Sequence, residues 1–123
     1  MSDPTEPTDK NAIVSKVEKK VFKIDDEDCM YTGMLKNDSP HGFGELFCSE
    51  ERSMKGEWVN GELHGNATLQ NDTVYYDGKF SRGFPDKGCL LRFKRPGEFC
   101  YYSGAYKEFK MHGHGLMTCI PEG

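Results

Sequence analysis

Cysteine and histidine are the residue types of this chain that most directly suggest chemistry. Five cysteines and four histidines could supply ligands for a metal ion such as zinc. No C-x2-C pair is present, however, and the ligand spacings of structural zinc sites are missing. The sequence therefore predicts no metal site and no cofactor.

Two glycine-rich stretches look like phosphate-binding loops, His41-Gly-Phe-Gly44 and His112-Gly-His-Gly115. Such loops need a helix after them, and a P-loop also needs Lys followed by Ser or Thr. Neither feature follows here. Ser, His and Asp are present, but the G-x-S-x-G turn that exposes a hydrolytic nucleophile is absent. We therefore expect neither nucleotide binding nor enzymatic activity.

The same residues become informative once the chain is searched for repeats. A Tyr-x-Gly motif occurs at Tyr31, Tyr76 and Tyr102, and Met54 replaces the tyrosine in one further copy. The glycines of successive copies are 23, 22 and 26 residues apart. A turn dipeptide and then a large aliphatic residue lie ten and fifteen residues after each Tyr or Met. The large apolar residues that follow each glycine by two positions are Leu35, Trp58, Phe80 and Tyr106.

Each copy has the pattern of a β-hairpin. The tyrosine, the glycine and the large apolar residue alternate with period two, so they share one face of a strand. A polar, glycine-containing connection such as Asn60-Gly61 leads to a second alternating segment. One hairpin is not stable alone in water, so four of them should pair edge to edge. The expected fold is all-β, an elongated, twisted, single-layer antiparallel sheet of tandem β-hairpins with about eight strands.

The N-terminal region differs in composition from the repeats, which occupy residues 29–123. We expect residues 1–28 to form an acidic, mostly disordered tail. Residues 13–24 have two alternatives, a short helix with Ile13, Val17 and Val21 on one face, or a strand that covers the first edge of the sheet. The acidic run 25–28 lacks the pattern of a calcium loop and is interpreted as a solvated linker.

Composition limits the possible functions. The net charge is −4, which argues against general nucleic-acid binding. No apolar run is long enough for a membrane span or a secretory signal. We therefore expect the chain in the cytoplasm, and we expect its five cysteines to be thiols.

The spacing of these motifs resembles the MORN repeat (membrane occupation and recognition nexus). The resemblance extends from Tyr31 to about Ile120 over four units, of which the first and fourth match best. The third unit has Pro85-Asp-Lys-Gly88 in place of His-Gly, and extra residues around 95–97 predict a protruding loop. The resemblance implies a non-enzymatic scaffold or adaptor. Several members of the family are located at the cytoskeleton or cilium. Some bind a partner's segment in a concave groove, and some self-associate.

The residues expected to line that groove are the apolar row and its tyrosines. A single-layer sheet cannot bury both of its faces, so an aromatic row would offer apolar area to an intracellular protein or peptide. The alternative is that the row only packs internally. The predicted groove residues are Leu35, Trp58, Phe80 and Tyr106, supported by Tyr31, Tyr76 and Tyr102.

Two further surfaces could mediate interactions. A basic cluster could contact anionic phospholipid, although a solvated strand face is the simpler interpretation. It consists of Lys87, Arg92, Lys94 and Arg95. The last strand, at about residues 116–120, leaves a sheet edge that could pair with a second copy in a homodimer, and the alternative is a frayed edge that water satisfies.

Overall fold

The computed structural model describes residues 13–123, and the prediction of disorder for the first dozen residues lies outside them. Nine antiparallel strands follow one another in chain order and form one open sheet. They are β1 (Val14–Ile24), β2 (Glu27–Lys36), β3 (Ser39–Ser49), β4 (Arg52–Val59), β5 (Glu62–Gln70), β6 (Val74–Ser81), β7 (Phe84–Arg95), β8 (Glu98–Lys107) and β9 (Lys110–Pro121). The predicted tandem hairpins are confirmed as β2–β3, β4–β5, β6–β7 and β8–β9.

The ninth strand comes from the N-terminal region. Strand β1 pairs with β2 from Val14 opposite Lys36 to Ile24 opposite Glu27. Of the two alternatives for residues 13–24, the structure therefore contains the strand. The interpretation of residues 25–28 as a linker is wrong: Asp25 and Asp26 form a two-residue turn with φ of 50° and 65°, and β2 begins directly after them.

The two faces of the sheet differ sharply in burial. We call the face that carries the buried side chains the inner face and the opposite one the outer face. On β2 the pattern is strict, since Tyr31, Gly33 and Leu35 are buried while Met30 and Thr32 are exposed. The predicted period of two is thereby confirmed. The core on the inner face is made of Cys29, Tyr31, Leu35, Leu46, Trp58, Leu63, Ala67, Tyr76, Phe80, Cys89, Leu91 and Tyr102.

Glycines opposite the tyrosines explain how a single layer buries whole rings. Gly33 pairs with Gly44, which pairs in turn with Gly56 on the next strand. The Tyr31 ring lies against Gly44, where an added Cβ would overlap the ring and its hydroxyl. Tyr102 lies in the same way against Gly115. The sheet thus packs aromatic rings on its own backbone, because these positions carry no side chain.

The His-Gly segments serve the turns of the sheet. The Asn60 N–H donates to His41 Nδ1 at 3.4 Å, and the Arg82 N–H donates to His64 Nδ1 at 3.3 Å. Each of these histidines therefore supports the turn of the following hairpin. The Gly61 N–H also donates to the Pro40 carbonyl, at 2.9 Å, so that successive turns are stacked.

The extra residues before the fourth unit do not form the protruding loop that the sequence predicts. Strands β7 and β8 stay paired up to Arg95 opposite Glu98, and only Pro96 and Gly97 form the turn. The insertion lengthens two paired strands because their backbone groups are satisfied best in the ladder. Among the described residues, no helix is long and apolar enough to cross a bilayer.

Candidate functional site

The predicted groove residues lie on the inner face, but most of them are buried. Tyr106 is half-buried, and the other six are between 0% and 5% exposed. These six are Leu35, Trp58, Phe80, Tyr31, Tyr76 and Tyr102. The row therefore forms internal packing, and it shapes the inner face instead of offering its own surface to a partner.

Hydrogen bonds fix the tyrosines in this packing. The Tyr31 hydroxyl donates to the Met34 carbonyl at 2.7 Å, and the Tyr102 hydroxyl donates to the Ala105 carbonyl at 2.6 Å. Burial raises the pKa of Tyr31 to about 12. Burial also raises the pKa of Tyr76 and of Tyr106. These hydroxyls are therefore neutral structural donors at neutral pH.

The aromatic rings form two separate runs along the inner face. In the first half of the sheet, Tyr31 contacts Phe22 and Trp58 edge to face, with ring centroids 6.1 Å and 5.9 Å apart. In the second half, Tyr76 contacts Phe80 and Tyr106 in the same manner, at 6.5 Å and 6.0 Å. Between the two runs, aliphatic side chains cover the sheet less completely.

An open depression lies at this junction. It has a cavity volume of about 400 Å³ and adjoins a second depression of about 420 Å³. Met54, Leu69 and Val74 contribute half-buried apolar surface to the floor. We call the two depressions together the inner groove. Its lining includes Ile24, Arg52, Met54, Leu69, Val74, Tyr76, Leu91, Phe93, Phe109 and Met111.

The turn between β8 and β9 forms one wall of the inner groove. The Tyr76 hydroxyl donates to the Phe109 carbonyl at 2.6 Å, and the two rings contact each other at 5.7 Å. Phe109 also contacts Phe84, at 5.2 Å. Of the seven predicted groove residues, Tyr76 is the one that both belongs to the core and lines this groove.

Most of the groove floor was not predicted from the sequence, although the repeats contain a signal for it. Val74 and Phe93 occupy the positions two residues before and seventeen residues after the unit's tyrosine. In the first and fourth units these positions are cysteines. An exchange of paired cysteines for large apolar residues at matched positions indicates a local change in the inner face.

A comparison with known families agrees with this architecture. A family model described as MORN repeat matches residues 31–50, 55–71 and 102–120. The chain contains MORN repeats. The matched segments are the first, second and fourth units, and the third unit keeps the hairpin β6–β7 between them. No curated protein matches the chain with significant sequence similarity.

MORN repeats generally act as non-enzymatic binding modules, which suggests a binding or scaffold role for this chain. The predicted basic cluster is not one continuous patch on the MORN sheet. The Arg92 guanidinium stacks on the Tyr75 ring, 4.4 Å from its centroid, and Lys94 forms an ion pair with Glu122 at 2.9 Å. Arg95 lies over the Phe93 ring, and Lys87 is near the opposite end of β7.

The outer face of the MORN sheet carries exposed apolar side chains that sequence analysis did not select. Val21, Met30 and Phe47 are directly opposite one another on three neighbouring strands and are 59%, 40% and 39% exposed. A second group includes Leu90, Phe99, Leu116 and Ile120. The period-two pattern contained this signal, in the apolar residues that alternate with the inner ones.

The expectation that all cysteines are thiols is wrong in this structure. Cys29 pairs with Cys48 and Cys100 with Cys119 in disulfides, which join positions two residues before and seventeen residues after a MORN tyrosine. Antiparallel pairing places these positions opposite each other, a geometry that sequence spacing alone did not reveal. Cys89 is the remaining cysteine of the five, and burial raises the pKa of its thiol to about 12.

Proposed function

We propose that this MORN-repeat chain is a non-enzymatic scaffold or adaptor that binds a segment of an intracellular protein in the inner groove. The proposed setting is the cytoplasm, at the cytoskeleton or a cilium. The observation that carries the proposal is the floor of the groove. Met54, Leu69 and Val74 are only half-buried on a face where the neighbouring side chains are fully buried, so part of their apolar area stays accessible. Contiguous exposed apolar surface of this kind usually marks an interaction site.

The chemistry of the groove selects the kind of partner. Apolar side chains line most of it, while Arg52 and Asp25 line the first depression and Lys94 and Lys110 line the second. An amphipathic helix or an extended segment with two or three apolar anchors would match this lining. Anchor residues that become fully desolvated would supply most of the affinity.

The sharpest test places a charge in the groove while the fully buried core residues stay unchanged. Val74→Glu should weaken binding of a purified partner at least about tenfold, because a carboxylate would lie unpaired against the bound apolar anchors. Trp58→Ala is a poorer choice, since Trp58 is 4% exposed and its loss would disturb the fold. Partners are first captured at physiological salt and then tested in purified form by calorimetry.

Val59→Glu provides the matched control, because Val59 is a strand valine that is 40% exposed and does not line the groove. Both variants must have the melting temperature of the wild type within a few degrees. The proposal fails if Val74→Glu and wild type bind every captured partner equally well.

Binding to an anionic membrane is the alternative to binding a partner in the groove. The two can be distinguished because membrane binding would depend on the basic residues. Vesicles of phosphatidylserine and phosphatidylcholine should not recruit the chain at about 0.15 M salt, because a few basic residues without an acyl chain bind an anionic surface only weakly and Lys94 already pairs with Glu122. Recruitment at that salt concentration that is lost in Arg92→Gln would favour the lipid-binding alternative.

A second candidate function is self-association through β9. A difference between the two edge strands, β1 and β9, favours it. The edge strand β1 is interrupted by a bulge between Val17 and Lys20 and carries four lysines. Strand β9 has twelve residues, is exposed along nearly its whole length, and includes Leu116 at 72% exposure. Bulges and lysines protect a strand edge against pairing, so β9 is the edge available for a second copy.

Light scattering after size-exclusion chromatography tests this candidate. Dimers should form at high protein concentration and be lost in Leu116→Lys, while Val21→Lys on β1 should leave them unchanged. A monomer at every accessible concentration would contradict self-association and leave the groove proposal untouched.

A further inference from the structure

Both disulfides of the sheet lie next to a glutamate in the same arrangement. Cys29 Sγ is 3.9 Å from Glu27 Oε1, and Cys100 Sγ is 3.9 Å from Glu98 Oε2. In each group the two sulfurs and the carboxylate oxygen all lie within 4.8 Å of one another. Two clusters with the same three side chains thus occur in one short chain.

The repeat positions of the clusters are identical. Each consists of a glutamate four residues before the MORN tyrosine, a cysteine two residues before it and a cysteine seventeen residues after it. The second unit has Arg52 and Asn71 at the two cysteine positions, and the third has Val74 and Phe93. The clusters therefore belong specifically to the first and last units, at the two ends of the array.

The two cysteines of each cluster differ in burial. Cys29 and Cys100 are fully buried, whereas Cys48 and Cys119 are half-buried and can be reached from the solvent. The ladder holds the two cysteines of a pair opposite each other, with Cα atoms 4.1 Å apart. Two sulfurs and one oxygen are consequently preorganised, and one cysteine of each pair keeps part of its surface accessible.

Two thiolates and a carboxylate are ligands of a zinc site with one open position. Zn²⁺ accepts cysteine sulfur and glutamate oxygen, and three protein ligands leave the fourth position for water. Soft thiolate ligands favour Zn²⁺ over hard cations such as Mg²⁺ or Ca²⁺. Paired cysteines in a reducing compartment are also more often metal ligands than disulfides.

We propose that each terminal unit carries a redox-linked zinc site formed by Glu27, Cys29 and Cys48 in the first unit and by Glu98, Cys100 and Cys119 in the fourth. A cellular dithiol reduces each disulfide: two electrons and two protons pass to the cysteines, and the dithiol becomes a disulfide. Zn²⁺ then displaces one proton from each thiol and binds both sulfurs and the carboxylate. This inference rests on the cytoplasmic setting of the proposed function, but it does not depend on the groove or its partner.

The two sites differ in the freedom of their glutamate. Arg52 Nη1 lies 3.2 Å from Glu27 Oε1, so a metal ion at the first site competes with a guanidinium. Within residues 13–123, Glu98 forms no ion pair, and its close polar contact is the Cys100 sulfur. The site of the fourth unit should therefore bind Zn²⁺ more tightly than that of the first.

Cobalt titration of the full chain tests the proposal directly. After reduction with a phosphine and removal of the reductant without oxygen, Co²⁺ should produce a near-ultraviolet thiolate-to-cobalt charge-transfer band that saturates at about two ions per chain. Zn²⁺ should abolish the band. The oxidised chain should give no band, because its sulfurs are bonded to each other.

Variants assign the sites and make the proposal falsifiable. Cys119→Ser and Cys48→Ser should each halve the stoichiometry, while Cys89→Ala, outside both clusters, should leave it at two. Glu98→Gln in the Cys48→Ser background should weaken Zn²⁺ binding by about 10-fold or more. The proposal is overturned if the reduced wild type gives no charge-transfer band, or if the band persists in Cys48→Ser/Cys119→Ser.

Discussion

The first and third units share the same tyrosine but direct its hydroxyl to different partners. In the first unit the Tyr31 hydroxyl donates to the Met34 carbonyl, three residues away within the same strand. In the third unit the Tyr76 hydroxyl donates to the Phe109 carbonyl, 33 residues away in the turn between β8 and β9. One tyrosine thus closes its own unit, and the other joins two units.

Turn residues explain the difference. The turns of the second and third units end in Gly61 and Gly83, whose N–H groups donate to the backbone carbonyls of Pro40 and Leu63 in the preceding unit. In the fourth unit, Phe109 occupies the corresponding position. The third unit also lacks the histidine that supports the next turn, because Asp86 replaces it.

This departure from the repeat helps to form the inner groove. Where the turns stack regularly, the inner face is closed by its own rings. Where Phe109 departs from the stack, its ring contacts Tyr76 and Phe84 and forms a wall of the inner groove. A single replaced turn residue therefore opens a depression on a face that the other units keep closed.

The largest loss of stability is expected when the glycine under a buried tyrosine ring is replaced. Each half of the sheet has such a glycine. Gly44→Ala and Gly115→Ala should each destabilise the chain by about 3 kcal/mol, because the added methyl overlaps the ring of Tyr31 or of Tyr102. Gly97→Ala is the control: nothing lies within 4 Å of its Cβ, and only its φ of +80° is unfavourable. Urea denaturation measures all three, and equal losses would contradict the packing of tyrosine on glycine.

Replacing Tyr31 or Tyr76 by phenylalanine should have different local effects in the two halves of the sheet. Tyr31→Phe and Tyr76→Phe should each cost about 1 kcal/mol, since each removes one hydrogen bond. Only Tyr76→Phe should speed hydrogen exchange in the turn at residues 108–111, because only that hydroxyl holds the turn. Unchanged exchange there would show that the turn keeps its position without Tyr76.

The repeating part of the fold could be predicted because the chain repeats the pattern of one unit four times. Period-two alternation placed Tyr31, Gly33 and Leu35 on one face, and the structure confirms it. Strand β1 could not be decided, since its apolar residues fit a helix and a strand equally well. Its pairing with β2 buries Phe22 partly against Tyr31, and that tertiary contact decides between the alternatives.

The site was less predictable because it depends on distances between units. The aromatic row was correctly placed on one face, but its burial follows from rings packed on glycines of neighbouring strands, which no single unit reveals. The cysteine pairs were missed for a similar reason. Cys100 and Cys119 are separated by 19 residues, and only the register of β8 with β9 places them opposite each other.

The smallest expected effect concerns His41, which supports the turn between β4 and β5. Partial burial, with a smaller contribution from the charge of Lys36, lowers the pKa of His41, whose Nδ1 accepts the Asn60 N–H as a neutral group. Because the unfolded chain then binds a proton more readily, the stability that His41 contributes is present above about pH 6.5 and decreases as the pH falls through its folded pKa. The difference in unfolding free energy between wild type and His41→Gln should therefore shrink from about pH 7.5 to about pH 5. NMR titration of His41 should give a pKa below 6.5, and a value above it would contradict the neutral acceptor.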